Sequence, residues 1–223
     1  MENGLNQYWR GVYNWMTIGL LLTAGSVYAV AANSTLANWL FSNSIIFYGI
    51  MILELILVVY LSARVQKMSA AAATGVFFGY SLLNGVTLSL IFLEYSTASI
   101  FSTLIATAIT FGLLALYGAK TKKNLTGFGH FALMALIGLI VASFINIFLK
   151  NDAFDLIISF IGILVFLGLT AYDTQKIQQY YFAIQGADEE TKTKSAIIGA
   201  LTLYLDFINL FLYLLRFFGK RNN

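Results

Sequence analysis

Two carboxylates mark the last two long apolar stretches of this chain. Asp173 closes the segment GLTAYDTQ, and Asp206 sits inside IIGALTLYLDFINLFLYLL. Stranding an ionised group in an apolar medium costs several kcal/mol, so such a residue normally has a partner or a wet cavity. If Asp173 and Asp206 share one site they cannot both ionise cheaply, and they then titrate as a unit, which is a way of sensing protons. The chain has no cysteine, which excludes disulfides and thiolate chemistry. Oxygen donors without thiolates suit a hard cation such as calcium, so Asp173 and Asp206 are also the candidate metal contacts. Two aspartates could alternatively activate a water for hydrolysis.

The elements that must position these groups follow from composition. Of 223 residues, 59% are hydrophobic and only 10% charged, far from the balance of soluble domains. Seven runs are long enough to cross a bilayer as helices: Val12 to Ala32, Ser44 to Ala63, Ala70 to Leu93, Ala98 to Tyr117, Phe131 to Leu149, Phe154 to Tyr172 and Ile197 to Leu215. The expected fold is all-α, a polytopic membrane protein forming one seven-helix domain over residues 1–223. Among the 13 basic and 10 acidic side chains, only Glu54 and Asp206 fall well inside a run, while Arg64, Asp173 and Arg216 stand at run ends. The first run lacks a small-residue cleavage site and reads as a retained helix. The basic residues form no patch dense enough for nucleic acid.

Orientation follows from the short loops. Arg10, Arg64, Lys67, Lys120, Lys122, Lys123, Lys176, Lys192 and Lys194 fall on the side of the N-terminus, and only Lys150 falls opposite before the tail. That predicts a cytoplasmic N-terminus. Arg216, Lys220 and Arg221 run against the rule if the last run crosses fully, and a re-entrant last run would remove the conflict; nineteen apolar residues nonetheless suffice to span.

Helical spacing groups the polar residues. Thr202, Asp206, Asn209 and Tyr213 share a face of the seventh run, and Ser159, Thr170 and Asp173 share one of the sixth. The fourth carries Thr103, Thr107 and Thr110; the third carries Ser81 and Asn84 after a Gly75/Gly79 pair whose GxxxG spacing favours close helix contact. Glu54, Asn84, Thr202 and Asn209 are therefore candidates for a polar-lined interior. Glu54 either pairs with Arg64 or faces water. Longer connections are expected at Gly118 to Gly129 and after Asp173, where Ile177, Tyr180, Tyr181 and Ile184 keep helical spacing and carry the sixth helix onward before Gly186. Asp188, Glu189 and Glu190 read as a solvated acidic turn, and His130 as interfacial.

Seven runs, with GILVFLGLTAYDTQKI ending the sixth and ALTLYLDFINLFLYLLRFF forming the seventh, resemble the Bax inhibitor-1 family over the whole chain. The sharpest matches are the tetrad Tyr172 to Gln175 and the segment Leu205 to Phe211. The resemblance implies a seven-helix bundle with the last helix central, acting as a pH-sensitive calcium leak, with calcium as permeant ion and no cofactor. It further implies that Asp173 and Asp206 form a hydrogen-bonded pair and that Arg64, matched by position, latches it. The absence of a long Pro-rich N-terminal extension points to a bacterial plasma-membrane member. Two other classes compete. A regulatory protein that binds a membrane protease or channel would share these features. Intramembrane aspartyl proteases resembling presenilin also place Tyr-Asp on a sixth helix, but here Tyr204-Leu205-Asp206 stands where Gly-x-Gly-Asp is required, and their Pro-Ala-Leu element is impossible in a chain without proline. No enzymatic activity is expected.

Overall fold

Asn and Ser side chains mark most helix starts. The computed structural model describes residues 2–222, and side chains from residue 3. Its helices are α1 (Glu2–Ala31), α2 (Ser34–Ser42), α3 (Ser44–Arg64), α4 (Ala70–Leu88), α5 (Ile91–Glu94), α6 (Thr97–Lys120), α7 (Thr126–Leu149), α8 (Asp152–Ala183) and α9 (Glu189–Phe218). The side-chain oxygens of Asn33, Asn43, Ser69, Ser96, Asn151 and Asp188 each accept the backbone N–H three residues on, satisfying a donor that the first turn cannot satisfy itself. Lys150 ends α7 in the left-handed conformation, φ 48°.

Seven of the helical stretches are long and apolar enough to cross a membrane, and they fall on the seven predicted runs. Their exposed faces are rich in large apolar side chains, as at Ile52, Leu55, Ile56 and Val59 of α3 and Phe131, Ile137, Phe144 and Phe148 of α7, which suits a lipid-facing shell. The last helix is the most enclosed, with 61% of its apolar window buried against 44% for α8. It is one unbroken helix through Phe218, so the re-entrant alternative finds no break to support it.

Three expectations are corrected. The connection after the first run contains α2, whose Ala37 and Leu40 pack with Val30 against Phe41, Ile46, Ile50 and Val86. The long fourth connection shrinks to residues 121–125, because α6 and α7 extend beyond their apolar runs. The third run breaks after Leu88, where the Ser89 hydroxyl donates to the Val86 carbonyl, before the short α5.

The expectation of one domain over residues 1–223 meets a chain whose contacts cluster into two compact units. Unit 1 holds residues 1–94 and 181–204; unit 2 holds 95–180 and 205–223. In unit 1, α1 packs on α4 through two glycines: Gly19 lies against the Phe77 ring, and Gly85 rests on the carbonyl of Thr23. A Cβ at Gly85 would collide with that backbone, so the position admits nothing larger. Gly75 and Gly79 have open space around them, so the predicted GxxxG contact is not where the helices meet. In unit 2, Gly162 lies beneath the Tyr213 ring and Gly168 beneath Phe128, so these two small residues do admit close neighbours.

Candidate functional site

Asp173 and Asp206 both belong to unit 2. Asp173 lies well inside α8, because that helix continues to Ala183 as its heptad-like spacing predicts. Asp206 is likewise mid-helix, in α9. The two carboxylates are close enough to feel each other's charge, but no hydrogen bond joins them among the described residues, so the hydrogen-bonded pair that the resemblance implies is not the geometry found. Asp206 is 4% exposed, and its Oδ2 has no hydrogen-bond donor among the described residues. Buried polar atoms without partners are uncommon and mark sites of chemistry or binding. Asp173 is half-buried and senses Lys176, one turn on.

The tetrad around Asp173 is held by its other three members. Tyr172 is buried, its ring covering Gly129 at the start of α7. The Thr174 hydroxyl donates to the Thr170 carbonyl at 2.7 Å. Gln175 clamps the α6–α7 connection from both sides: its Nε2 donates to the Lys123 carbonyl at 2.8 Å, and its Oε1 accepts the Leu125 N–H at 2.9 Å. Gly118 rests on the Ala171 carbonyl, and Phe207 meets Phe111 edge to face at 5.5 Å. Asp173 is thus fixed by α6, α7 and α8 together.

Glu54 belongs to unit 1, and its partners are not Arg64, as one reading had it. It accepts the Thr87 hydroxyl at 2.9 Å and the Asn84 Nδ2 at 3.4 Å. Asn84 Oδ1 in turn accepts the Tyr204 hydroxyl at 2.9 Å, and Tyr204 sits 2.6 Å from Thr23 Oγ1. Because the single Tyr204 proton goes to Asn84, Thr23 donates in that last pair, and its one proton is contested by the Gly19 and Ser81 carbonyls. Tyr204 is fully buried, edge-on to Phe77 and Tyr80. Neither Tyr204 nor Thr23 stood out as a site residue in the sequence, since a tyrosine in an apolar run reads as core.

Arg64, the expected latch, is exposed at the end of α3 and makes no ion pair or hydrogen bond among the described residues. Thr202 donates to the Ile198 carbonyl and Asn209 Nδ2 to the Leu205 carbonyl, so both half-buried groups spend donors on their own helix. Two of the three tail charges that conflict with the loop count converge on one acid: Arg216 and Arg221 approach Asp155 at 3.6 and 3.8 Å. His130 is exposed in the first turn of α7. Asp188 caps α9, and the backbone N–H and hydroxyl of Thr191 hold its carboxyl below the usual carboxylate range.

Seven apolar helices, an enclosed last helix and a buried carboxylate facing a second one define a polytopic membrane protein with a polar element in its interior. Comparison with known proteins narrows the class. The family described as "Inhibitor of apoptosis-promoting Bax1" matches residues 5–223, and the chain belongs to this Bax inhibitor-1 family. It is 50% identical to the inner membrane protein YbhL of Escherichia coli, over 98% of this chain and 93% of the relative. An uncharacterized protein of Borreliella burgdorferi is 43% identical over 98% of this chain and 94% of its own length. A membrane protein of Streptococcus pyogenes is 38% identical over 98% and 95%.

Proposed function

We propose that this protein is a pH-sensitive calcium leak of the bacterial plasma membrane, in which Asp173 and Asp206 form the proton-responsive element. The observation that supports this most directly is the buried Asp206 oxygen without a donor, facing the charge of Asp173 within one unit. A carboxylate left unsatisfied in a membrane interior destabilises the fold, and such groups are retained at ion and proton sites. No group of three or more acidic or imidazole side chains is placed to hold a metal ion among the described residues. Calcium takes about six to eight oxygen ligands, so Asp173 and Asp206 fit a permeant ion that keeps most of its water better than a resident one. The reading assigns no chemical reaction to the chain. It leaves Arg64 with a role only if that side chain leaves its exposed position.

Purified protein in vesicles loaded with a calcium-sensitive dye tests the reading. Calcium entry should exceed that of empty vesicles and change across about pH 5 to 8, where a buried carboxylate pair can titrate. Entry no faster than through empty vesicles at every pH would sink the channel and leave the protein a regulator of membrane partners. Orientation is tested separately: cysteines at Lys122 and Lys150 should label from the cytoplasmic and external sides respectively, against no native thiol.

A further inference from the structure

One end of unit 1 collects cations from four helical segments. Arg10 lies on α1, Arg64 and Lys67 at the α3–α4 turn, and Lys192 and Lys194 in the first turns of α9. Lys194 Nζ reaches the Gln66 carbonyl at 3.4 Å, and the Ala70 N–H donates to Glu190 at 3.2 Å, which ties these segments together. The acids on the same elements are already engaged: Asp188 caps α9, Glu190 takes the Ala70 N–H, and Glu189 pairs with Lys192 at 2.8 Å. Arg10 makes no ion pair or hydrogen bond among the described residues.

Between α1 and the start of α9 this end opens into a cleft of about 380 Å³, with Arg10, Asn14, Trp15, Tyr181, Lys192 and Thr193 among its lining. The Glu189 carboxylate also reaches the lining, alongside its partner Lys192. The walls are set by tight packing. A Cβ on Gly4 would stand 2.5 Å from the Tyr181 hydroxyl, and Tyr8 and Ser195 hydroxyls meet at 2.7 Å. The cleft is small-ligand sized. Its chemistry is specific, because a guanidinium and an ammonium in the lining, with the Asn14 amide donor beside them, match the charge and acceptor character of a phosphate. Its level in the membrane is specific too. Trp9 and Tyr13 stack on the same stretch of α1, Trp15 follows, and aromatic residues of this kind gather at headgroup depth.

We propose that this cleft is a binding site for a phosphate group, presented by the headgroup of an anionic lipid such as phosphatidylglycerol. Arg10 carries the charge recognition, Lys192 joins it by exchanging its Glu189 partner for the phosphate, Asn14 supplies a neutral donor, and Trp15 packs on the glycerol backbone. Basic pockets between membrane helices recognise anionic headgroups in this way.

Native mass spectrometry of the detergent-purified protein, with phosphatidylglycerol, phosphatidylcholine or inorganic phosphate added, tests the site. Wild type should hold phosphatidylglycerol through collisional activation and hold phosphatidylcholine weakly. Arg10→Gln and Lys192→Gln should each lower the bound fraction by about fivefold, from the loss of one cation near a lipid surface, with Lys192→Arg restoring it. Lys122→Gln, an exposed lysine of unit 2, should change nothing. Displacement of the lipid by millimolar inorganic phosphate would support the phosphate site while naming a soluble source; resistance to it would support the lipid. If Arg10→Gln fails to fold, the Lys192→Gln and Lys192→Arg pair decides alone. Equal retention of both lipids, or wild-type retention by folded Arg10→Gln and Lys192→Gln, overturns the proposal.

Discussion

Replacing Asp206 by Leu should make the protein more stable while removing its pH response. Asp and Leu share the same branched four-atom skeleton, so the change conserves shape and exchanges two oxygens for two methyls. The site is 4% exposed and one of those oxygens has no donor. Leaving a buried polar atom unsatisfied costs about 1 to 3 kcal/mol. The larger methyl radius returns part of that gain as crowding, leaving about 1 to 2 kcal/mol of net stabilisation. For a chain of this length the gain corresponds to about 2 to 8 °C in Tm. Asp206→Asn should not share it, because its amide brings two further donors that need acceptors. Thermal unfolding in detergent, followed by tryptophan fluorescence with calcium chelated, gives the order Leu above Asp, and Asp equal to or above Asn. Adding millimolar calcium should raise the wild type more than either variant, since only it keeps both carboxylates. If Asp206→Leu proves less stable than wild type by more than about 1 kcal/mol under chelation, Oδ2 has a partner, and the view of this residue as an uncompensated group fails.

Asp173→Asn and Asp206→Asn should each flatten the pH dependence of calcium entry, and the double change should add little, since coupled sites are non-additive; additive effects in the vesicle assay would separate the two residues. Tyr204→Phe keeps the ring contacts and removes only the hydroxyl, so it should cost about 0.6 to 1.7 kcal/mol, the range for hydrogen bonds between membrane helices, and unfolding in mixed micelles would measure it. Gln175→Ala should speed amide exchange at Leu125 by about fivefold, the equivalent of one neutral hydrogen bond. Asp188 has a folded carboxyl held below its unfolded value, so its support for the start of α9 is present above the unfolded pKa near about 3.9 and is lost as pH falls through the folded value. The protection factor of the Thr191 amide, its exchange rate relative to the intrinsic rate at the same pH, should therefore fall in acid in the wild type, and Asp188→Ala should show the low protection already at neutral pH.

The seven crossings were legible because lipid demands long apolar helices, and composition alone records that demand. The onward course of α8 was legible from Ile177, Tyr180 and Tyr181. What was not legible depended on contacts distant in sequence. Glu54 finds Asn84 and Thr87 on a neighbouring helix, and nothing local distinguishes those donors from Arg64. The GxxxG spacing at Gly75 pointed to a contact that Gly85 makes instead, because spacing gives a face and only packing chooses the partner. Gln175 stood inside a recognisable tetrad, yet its task of holding the 121–125 connection appears only once α6 and α7 are placed.

Tyr204 and Asp206 stand two residues apart on α9, and the contrast between them argues for which polar group is the working one. Residues two apart on a helix point to widely different directions, about 200° around the axis. Tyr204 enters a chain of partners running through Asn84 to Glu54, and its own oxygen accepts the Thr23 proton that the Gly19 and Ser81 carbonyls also contest. A satisfied network of this kind fixes a packing arrangement and leaves little capacity for another ligand. Thr202 and Asn209, candidates for the lining, each give one donor to their own helix and offer only neutral oxygens. Asp206 is the buried side-chain oxygen that remains without a donor among the described residues, and Asp173 faces it with a second carboxylate. Glu54, although charged and within the membrane, is half-buried and already bonded twice. The capacity to take up a proton or a passing cation is therefore concentrated at the two aspartates, and the Glu54 network is the scaffold that holds α1, α3, α4 and the first half of α9 together.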